Sequence, residues 1–224
     1  MQLGFTNLKD KQRIHRDKWI SNNSKSTGLK IHRALSWLKA AEECNNTDMG
    51  FISLWISFNS LYVNDTSSNE IYTPERQVFK DFFTHIISYD TSEAISSKFW
   101  QDYSNLFRFF IDNKYVFYPF WYFQQGQIAD EEWIERFTRS KQLSKKALGH
   151  HDSATFLGLL FDRLYVLRNQ LMHGGATFDS SINREQLQLG YKVLSEIVPI
   201  LIDILIENPE EDWGNSAYPP VLND

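Results

Sequence analysis

Apolar residues first fall into a helical rhythm at Leu29, continuing through Ile31, Ala34, Leu35, Leu38 and Ala41. The polar cluster Asn45-Asn46-Thr47-Asp48 should stop that helix, with Asp48 as the expected N-cap of the next one. Residues 49–63, MGFISLWISFNSLYV, are apolar on almost every side and predict a helix buried in a bundle. A polar loop follows over 64–74, and Pro74 suits the first turn of a helix reaching about Tyr89. The stretch 93–123 begins amphipathic and ends in Tyr115-Val-Phe-Tyr-Pro-Phe-Trp-Tyr-Phe123, where Pro119 should break or kink any helix. Further helices are expected over about 130–148, over 153–173 with a stop at Gly174-Gly175, and over 183–207 with a kink at Pro199. No βαβ alternation and no repeat is visible. The pattern predicts an all-α fold, a single helical-bundle domain of five to seven helices over residues 29–207. A basic polar arm over 1–28, ending in the loop-like SNNSKSTG, precedes it, and an acidic, Pro-containing tail over 208–224 follows.

Composition sharpens this picture in three places. Hydrophobic residues make up 42% of the chain, enough for a core, which excludes intrinsic disorder as a class. The single cysteine, Cys44, excludes a disulfide framework and a cysteine-built zinc site. The net charge of -5 argues against a uniformly basic nucleic-acid-coating protein, yet residues 1–33 carry eight basic and two acidic side chains. That arm reads either as a solvated terminus or as an electrostatic handle for a phosphate backbone. No leader-like apolar run opens the chain, and the apolar stretch Ile197–Ile206 is interrupted by Pro199 and Asp203. It falls short of the ~20 residues that span a bilayer, so a cytoplasmic protein without membrane contact is expected.

The candidate chemistry lies near the end of the helix 153–173. Arg168 falls on the stripe of Leu157, Phe161 and Leu164, and an arginine drawn toward an apolar face needs an anionic partner. That partner is either a structural carboxylate or a phosphate gripped by the planar guanidinium. His173 follows five residues later, a turn of roughly 140° on an ideal helix, so the two do not share a face. Asn169 is the true helical neighbour of His173, four residues before it, and can orient the imidazole. Two arrangements would reunite Arg168 with His173: unwinding at the glycine pair, or two copies of the helix meeting across a dimer axis. Asn59, an amide in the apolar helix 49–63, must find hydrogen bonds inside and is expected to brace the motif helix. The aromatic segment 115–123 suggests burial in a core or interface, or stacking on nucleobases. His150-His151 lack partners at ligand spacing, so no metal site is expected.

Arg168-Asn169-Gln170-Leu171-Met172-His173 resembles the R-x4-6-H signature of the HEPN superfamily, including the polar residue after the arginine. The context is similar too. The motif ends a long apolar helix, another long helix follows, and Phe51–Tyr62 resembles the buried early helix of bacterial members. The resemblance covers about Leu29 to Glu207. It implies a helical bundle that dimerises through the motif helix and acts as a metal-independent endoribonuclease, with no cofactor. It also implies a toxin, stress or phage-defence setting, with an antitoxin or other regulatory protein as a partner.

The residue types suit that chemistry. RNA cleaved without metal uses its own 2′-hydroxyl against the adjacent phosphorus, so one proton must be removed and another delivered to the leaving 5′-oxygen. Histidine titrates near neutrality and serves either step. A fixed guanidinium stabilises the charge that develops on the phosphorane oxygens. His173 is thus the expected acid/base, Arg168 the phosphate clamp, Asn169 the positioner and Asn59 a supporting residue. Two alternatives remain: a non-catalytic HEPN-like module that binds RNA, nucleotide or a protein partner, and a purely structural helical dimer.

Overall fold

The computed structural model describes residues 3–17, 19, 22–63, 75–102, 104–216 and 218. Among the described residues there are ten α-helices, one 3-10 turn and no β-strand, so the all-α class is correct and the helix count is higher than expected. The chain divides into two compact units, Met1–Tyr72 with Gly190–Asp224, and Thr73–Leu189. The hydropathy pattern marks no boundary inside 29–207.

The first unit holds α1 (Phe5–Arg16), α2 (Asn22–Glu42), α3 (Thr47–Tyr62) and the part of α10 (Arg184–Glu207) from Gly190 onward. Its N-terminal segment corrects the expectation of a polar lead-in. Most of it is helical, because α1 buries Leu8 and ties Lys11 to Asp203 at 2.6 Å, a contact no local pattern announces. Likewise α2 starts seven residues before Leu29, inside the segment read as a loop. As expected, α3 is buried nearly all round, with Phe51, Leu54, Trp55, Phe58 and Leu61 in the core. Its N-cap is Asn46 rather than Asp48: the Asn46 side chain accepts the Met49 N–H at 3.1 Å. Gly50 lets the ring of Tyr191 approach so closely that a Cβ there would sit 2.7 Å from Tyr191 Cε2.

Lys30 belongs to the charge-rich arm by sequence, but it is buried. Its ammonium donates to the carbonyls of Leu61 (3.2 Å), Val63 (3.3 Å) and Trp213 (2.8 Å), capping the end of α3 and anchoring the C-terminal segment. Burial pulls its pKa down to about 8, against a smaller opposing pull from Asp212. The tail is therefore held by the buried Trp213, whose indole N–H also donates to the Asn208 carbonyl at 2.7 Å. The tail's paired prolines, like the expected loop 64–74 with Pro74, lie outside the described residues.

The second unit comprises α4 (Glu75–Ser88), α5 (Ala94–Asp102), α6 (Ser104–Ile111), α7 (Tyr118–Gln124), α8 (Asp130–Gly149), α9 (Ser153–Met172) and the first residues of α10. Here α9 is the central element. Phe83 of α4 meets Phe161 at 4.8 Å between ring centroids, and Phe107 of α6 stacks on Phe156 at 3.8 Å. Asp152 caps the start of α9, accepting the Thr155 N–H at 3.0 Å. The region 93–123 resolves into short helices. Asp90 accepts the N–H groups of Ala94 and Ile95 to start α5, and Pro119 starts α7 rather than interrupting it. Pro199 lies inside α10, which runs through that residue as one helix.

The fully buried arginine of α9 is Arg163, not Arg168. Its guanidinium donates to Ser140 of α8 at 2.9 Å and lies 4.3 Å from the ring centroid of Phe117. This arrangement joins α8, α9 and the aromatic segment.

Candidate functional site

The end of α9 is built by its glycines. Gly174 adopts φ +70°, a conformation open to glycine at little cost, and its N–H bonds the Leu171 carbonyl. The Gly175 N–H reaches back to the Gln170 carbonyl at 2.6 Å, completing a Schellman closure. A Cβ on Gly175 would approach that same oxygen to 3.0 Å, so the pair is needed for curvature and for clearance. His173 is the C-cap, its N–H bonded to the Asn169 carbonyl at 3.0 Å and its imidazole exposed. The helix therefore does not unwind before His173.

His173 and Asn169 open onto one cleft of about 650 Å³ within the second unit. Tyr115, Tyr118 and Trp121 form its aromatic wall, Gln170 and Val166 lie on the α9 side, and Asn183 and Gln186 close the far rim. Gln170 acts as a clamp. Its amide nitrogen donates to the Tyr115 carbonyl at 2.7 Å, and its amide oxygen accepts from Asn183 at 2.8 Å. Trp121 donates to the same Tyr115 carbonyl at 2.9 Å, so wall and motif helix are fastened together. A cavity of this volume, with an apolar wall and a few convergent polar groups, has the form of a small-ligand site.

Arg168 is half-buried and does not line the cleft. Its guanidinium donates to the Asn169 side-chain oxygen at 2.9 Å and lies 6.0 Å from the Tyr165 ring centroid. Among the described residues no carboxylate pairs with it, so the structural-carboxylate alternative has no partner there. Its connection to the cleft runs through Asn169. Asn59 sits on α3 in the first unit, and its amide oxygen is buried without a hydrogen-bond partner.

Gln170 and Asn183 carry no local signal of this role, although Gln170 stands inside the motif. A second, shallower groove of about 640 Å³ shares Tyr115 and Gln186 with the cleft and carries Arg108 and Lys114 together with Asp112 and Glu185. Lys114 lies 5.3 Å from the Tyr115 ring centroid, so a cation borders the aromatic wall. The aromatic segment itself divides by role: Phe117 and Phe120 are buried, while Tyr115 and Tyr118 face solvent.

Among the described residues, no group of three or more His, Cys, Asp or Glu side chains is arranged to hold a metal ion. No described helix is long and apolar enough to cross a membrane. Comparison with known proteins finds no matching family model, no matching curated protein and no matching solved structure.

Proposed function

We propose that this protein is a metal-independent endoribonuclease of the HEPN type, with its site at the end of α9. The observation that carries the reading is the opening of His173 and Asn169 onto one cleft, with the Arg168 guanidinium bonded to Asn169 behind them. In this reaction His173 exchanges the protons, either taking that of the 2′-hydroxyl or giving one to the leaving 5′-oxygen. The 2′-oxygen forms a bond to phosphorus as the bond to the 5′-oxygen breaks, leaving a 2′,3′-cyclic phosphate and a 5′-hydroxyl. Arg168 offsets the phosphorane charge, positioned through Asn169. Tyr115 and Tyr118 offer ring faces to the bases beside the scissile bond.

A homodimer joined at the motif helix supplies the second proton-transfer group. Met172, Phe178 and Ile182 are large apolar side chains more than half exposed near the end of α9, and a second copy would cover them. An antitoxin or regulatory protein that covers the same region would silence the enzyme, which suits a toxin or phage-defence role in the cytoplasm. The second reading is a non-catalytic module that binds RNA or nucleotide. It is favoured by one fact: Arg168 does not line the cleft as the chain stands alone.

The test is a paired substrate assay in EDTA, with RNA and DNA of one sequence. Cleavage of RNA alone, leaving cyclic phosphate ends, supports the enzyme. Binding of both without turnover supports the module, and metal-dependent cleavage contradicts the mechanism.

A further inference from the structure

A second recess, in the first unit, has a different chemistry. It is about 290 Å³ in volume and is lined by Lys9, Arg16, Lys25 and His32, together with Gln12 and Trp19. Among the described residues no acidic side chain lines it. Among the described residues Arg16 and Lys25 have no ion-pair partner, and the nearby Arg13 is paired with Asp10 instead, at 3.2 Å. Lys9 donates to Gln12 Oε1 at 2.7 Å, and Gln12 is buried, so this wall of the recess is rigid. The Lys9 pKa is lowered, first by burial and then by repulsion from Arg13 and Arg16. Positive charge is thus gathered around one recess, with the Arg16 and Lys25 side chains exposed to solvent.

Trp19 adds an independent sign. Its indole nitrogen is buried and has no hydrogen-bond partner, an uncommon state for an N–H donor. The ring is seated against Gly28, where a Cβ would come within 2.8 Å of Trp19 Cε3, so glycine is required for this seat. The ring, not the enclosed nitrogen, is what Trp19 presents as part of the recess lining.

We infer that this recess binds a phosphate monoester dianion, held by Lys9, Arg16 and Lys25 beside the ring of Trp19. A dianion suits the recess better than a phosphodiester, because a single charge would leave most of these cations unmatched. The volume accommodates a phosphate with its first waters or an attached sugar. The inference does not rest on the ribonuclease reading, since every residue involved lies in the first unit.

The experiment follows the indole N–H resonances of the full-length protein as inorganic phosphate is added, with the Trp19 signal assigned by its loss in Trp19→Phe. A movement of that resonance, saturating with phosphate, is expected because the Trp19 ring lines the recess. Arg16→Gln with Lys25→Gln should weaken phosphate binding by roughly tenfold or more, and Gly28→Ala should weaken it by displacing the ring. Lys192→Gln, an exposed cation elsewhere in the same unit, should leave it unchanged. A 5′-phosphorylated RNA trinucleotide and its unphosphorylated counterpart distinguish a chain end from free phosphate. Binding of the phosphorylated form more tightly than inorganic phosphate identifies a nucleic-acid 5′ end, and weaker binding identifies the free anion. Equal binding of both trinucleotides would overturn the monoester assignment. A Trp19 resonance that ignores phosphate, or an affinity that Lys192→Gln reduces as much as the recess variants do, would overturn the site.

Discussion

Replacing Lys30 by methionine isolates the energetics of a charge enclosed by three carbonyls. The ordinary lysine value is 10.5, and in the folded chain it falls to about 8. Between those values the unfolded chain binds one proton more than the folded chain, so stability rises with pH across this window. Below about pH 8 both states are protonated and the full cost of enclosing the ammonium is present. With ~1.4 kcal/mol for each pH unit of separation, Lys30 should add roughly 2–3 kcal/mol of stability between pH 7 and pH 10. Lys30→Met lacks this gain. It also strips the Leu61, Val63 and Trp213 carbonyls of their donor, a loss that opposes the relief of enclosing no charge. The assay is urea unfolding of wild type and variant at several pH values from 7 to 10. The difference between the two proteins is the quantity of interest, because Lys9, Lys11 and Tyr191 also titrate at shifted values and cancel in it. Wild type should gain roughly 2–3 kcal/mol relative to the variant as the pH rises. Parallel pH profiles would refute the reasoning, since they would mean that Lys30 exchanges its proton as an exposed lysine does.

Three further outcomes follow from local geometry. Gly50→Ala should destabilise the fold by about 1–3 kcal/mol in denaturant melts, because its Cβ meets Tyr191, and adding Tyr191→Leu should recover part of the loss. Arg163→Ala should cost about 3 kcal/mol through the cavity left beside Phe117. Arg163→Met should recover most of that in the same melts, since a well-packed apolar side chain replaces a buried charge at little loss. Gln170→Ala unfastens the Tyr115 carbonyl from Asn183 and should raise KM for RNA roughly tenfold while kcat changes little.

The parts of the fold legible in the sequence are those whose signals are local. The limits of α9 follow from Asp152 before it and Gly174-Gly175 after it, and α3 is apolar on nearly every face. The first helix is illegible because it buries little, Leu8 and Gln12, and draws on Lys11 meeting Asp203, 192 residues away. Lys30 looks like one more surface cation until its three carbonyl partners, from two distant segments, are brought to it. On α9 the apolar stripe singled out Arg168, yet Arg163 is the enclosed arginine. The signal for it was present: Leu159 and Leu167 stand four residues to either side and Val166 three residues on, all buried. The motif located His173 and Asn169 together. The aromatic wall opposite them was visible only as composition, because the chain fold-back that sets Tyr115 beside Gln170 is a tertiary event.

The central claim is tested most directly by incubating one mixed RNA pool, in EDTA, with wild type and with His173→Ala prepared identically. The account predicts cleavage by wild type and a loss of about 100-fold or more in the variant, the scale of a missing acid/base group. The variant's thermal melt should match that of wild type, since the imidazole is exposed and has no partner among the described residues. Equal cleavage by both proteins would contradict the assignment of His173 and remove the site at the end of α9 from the reaction.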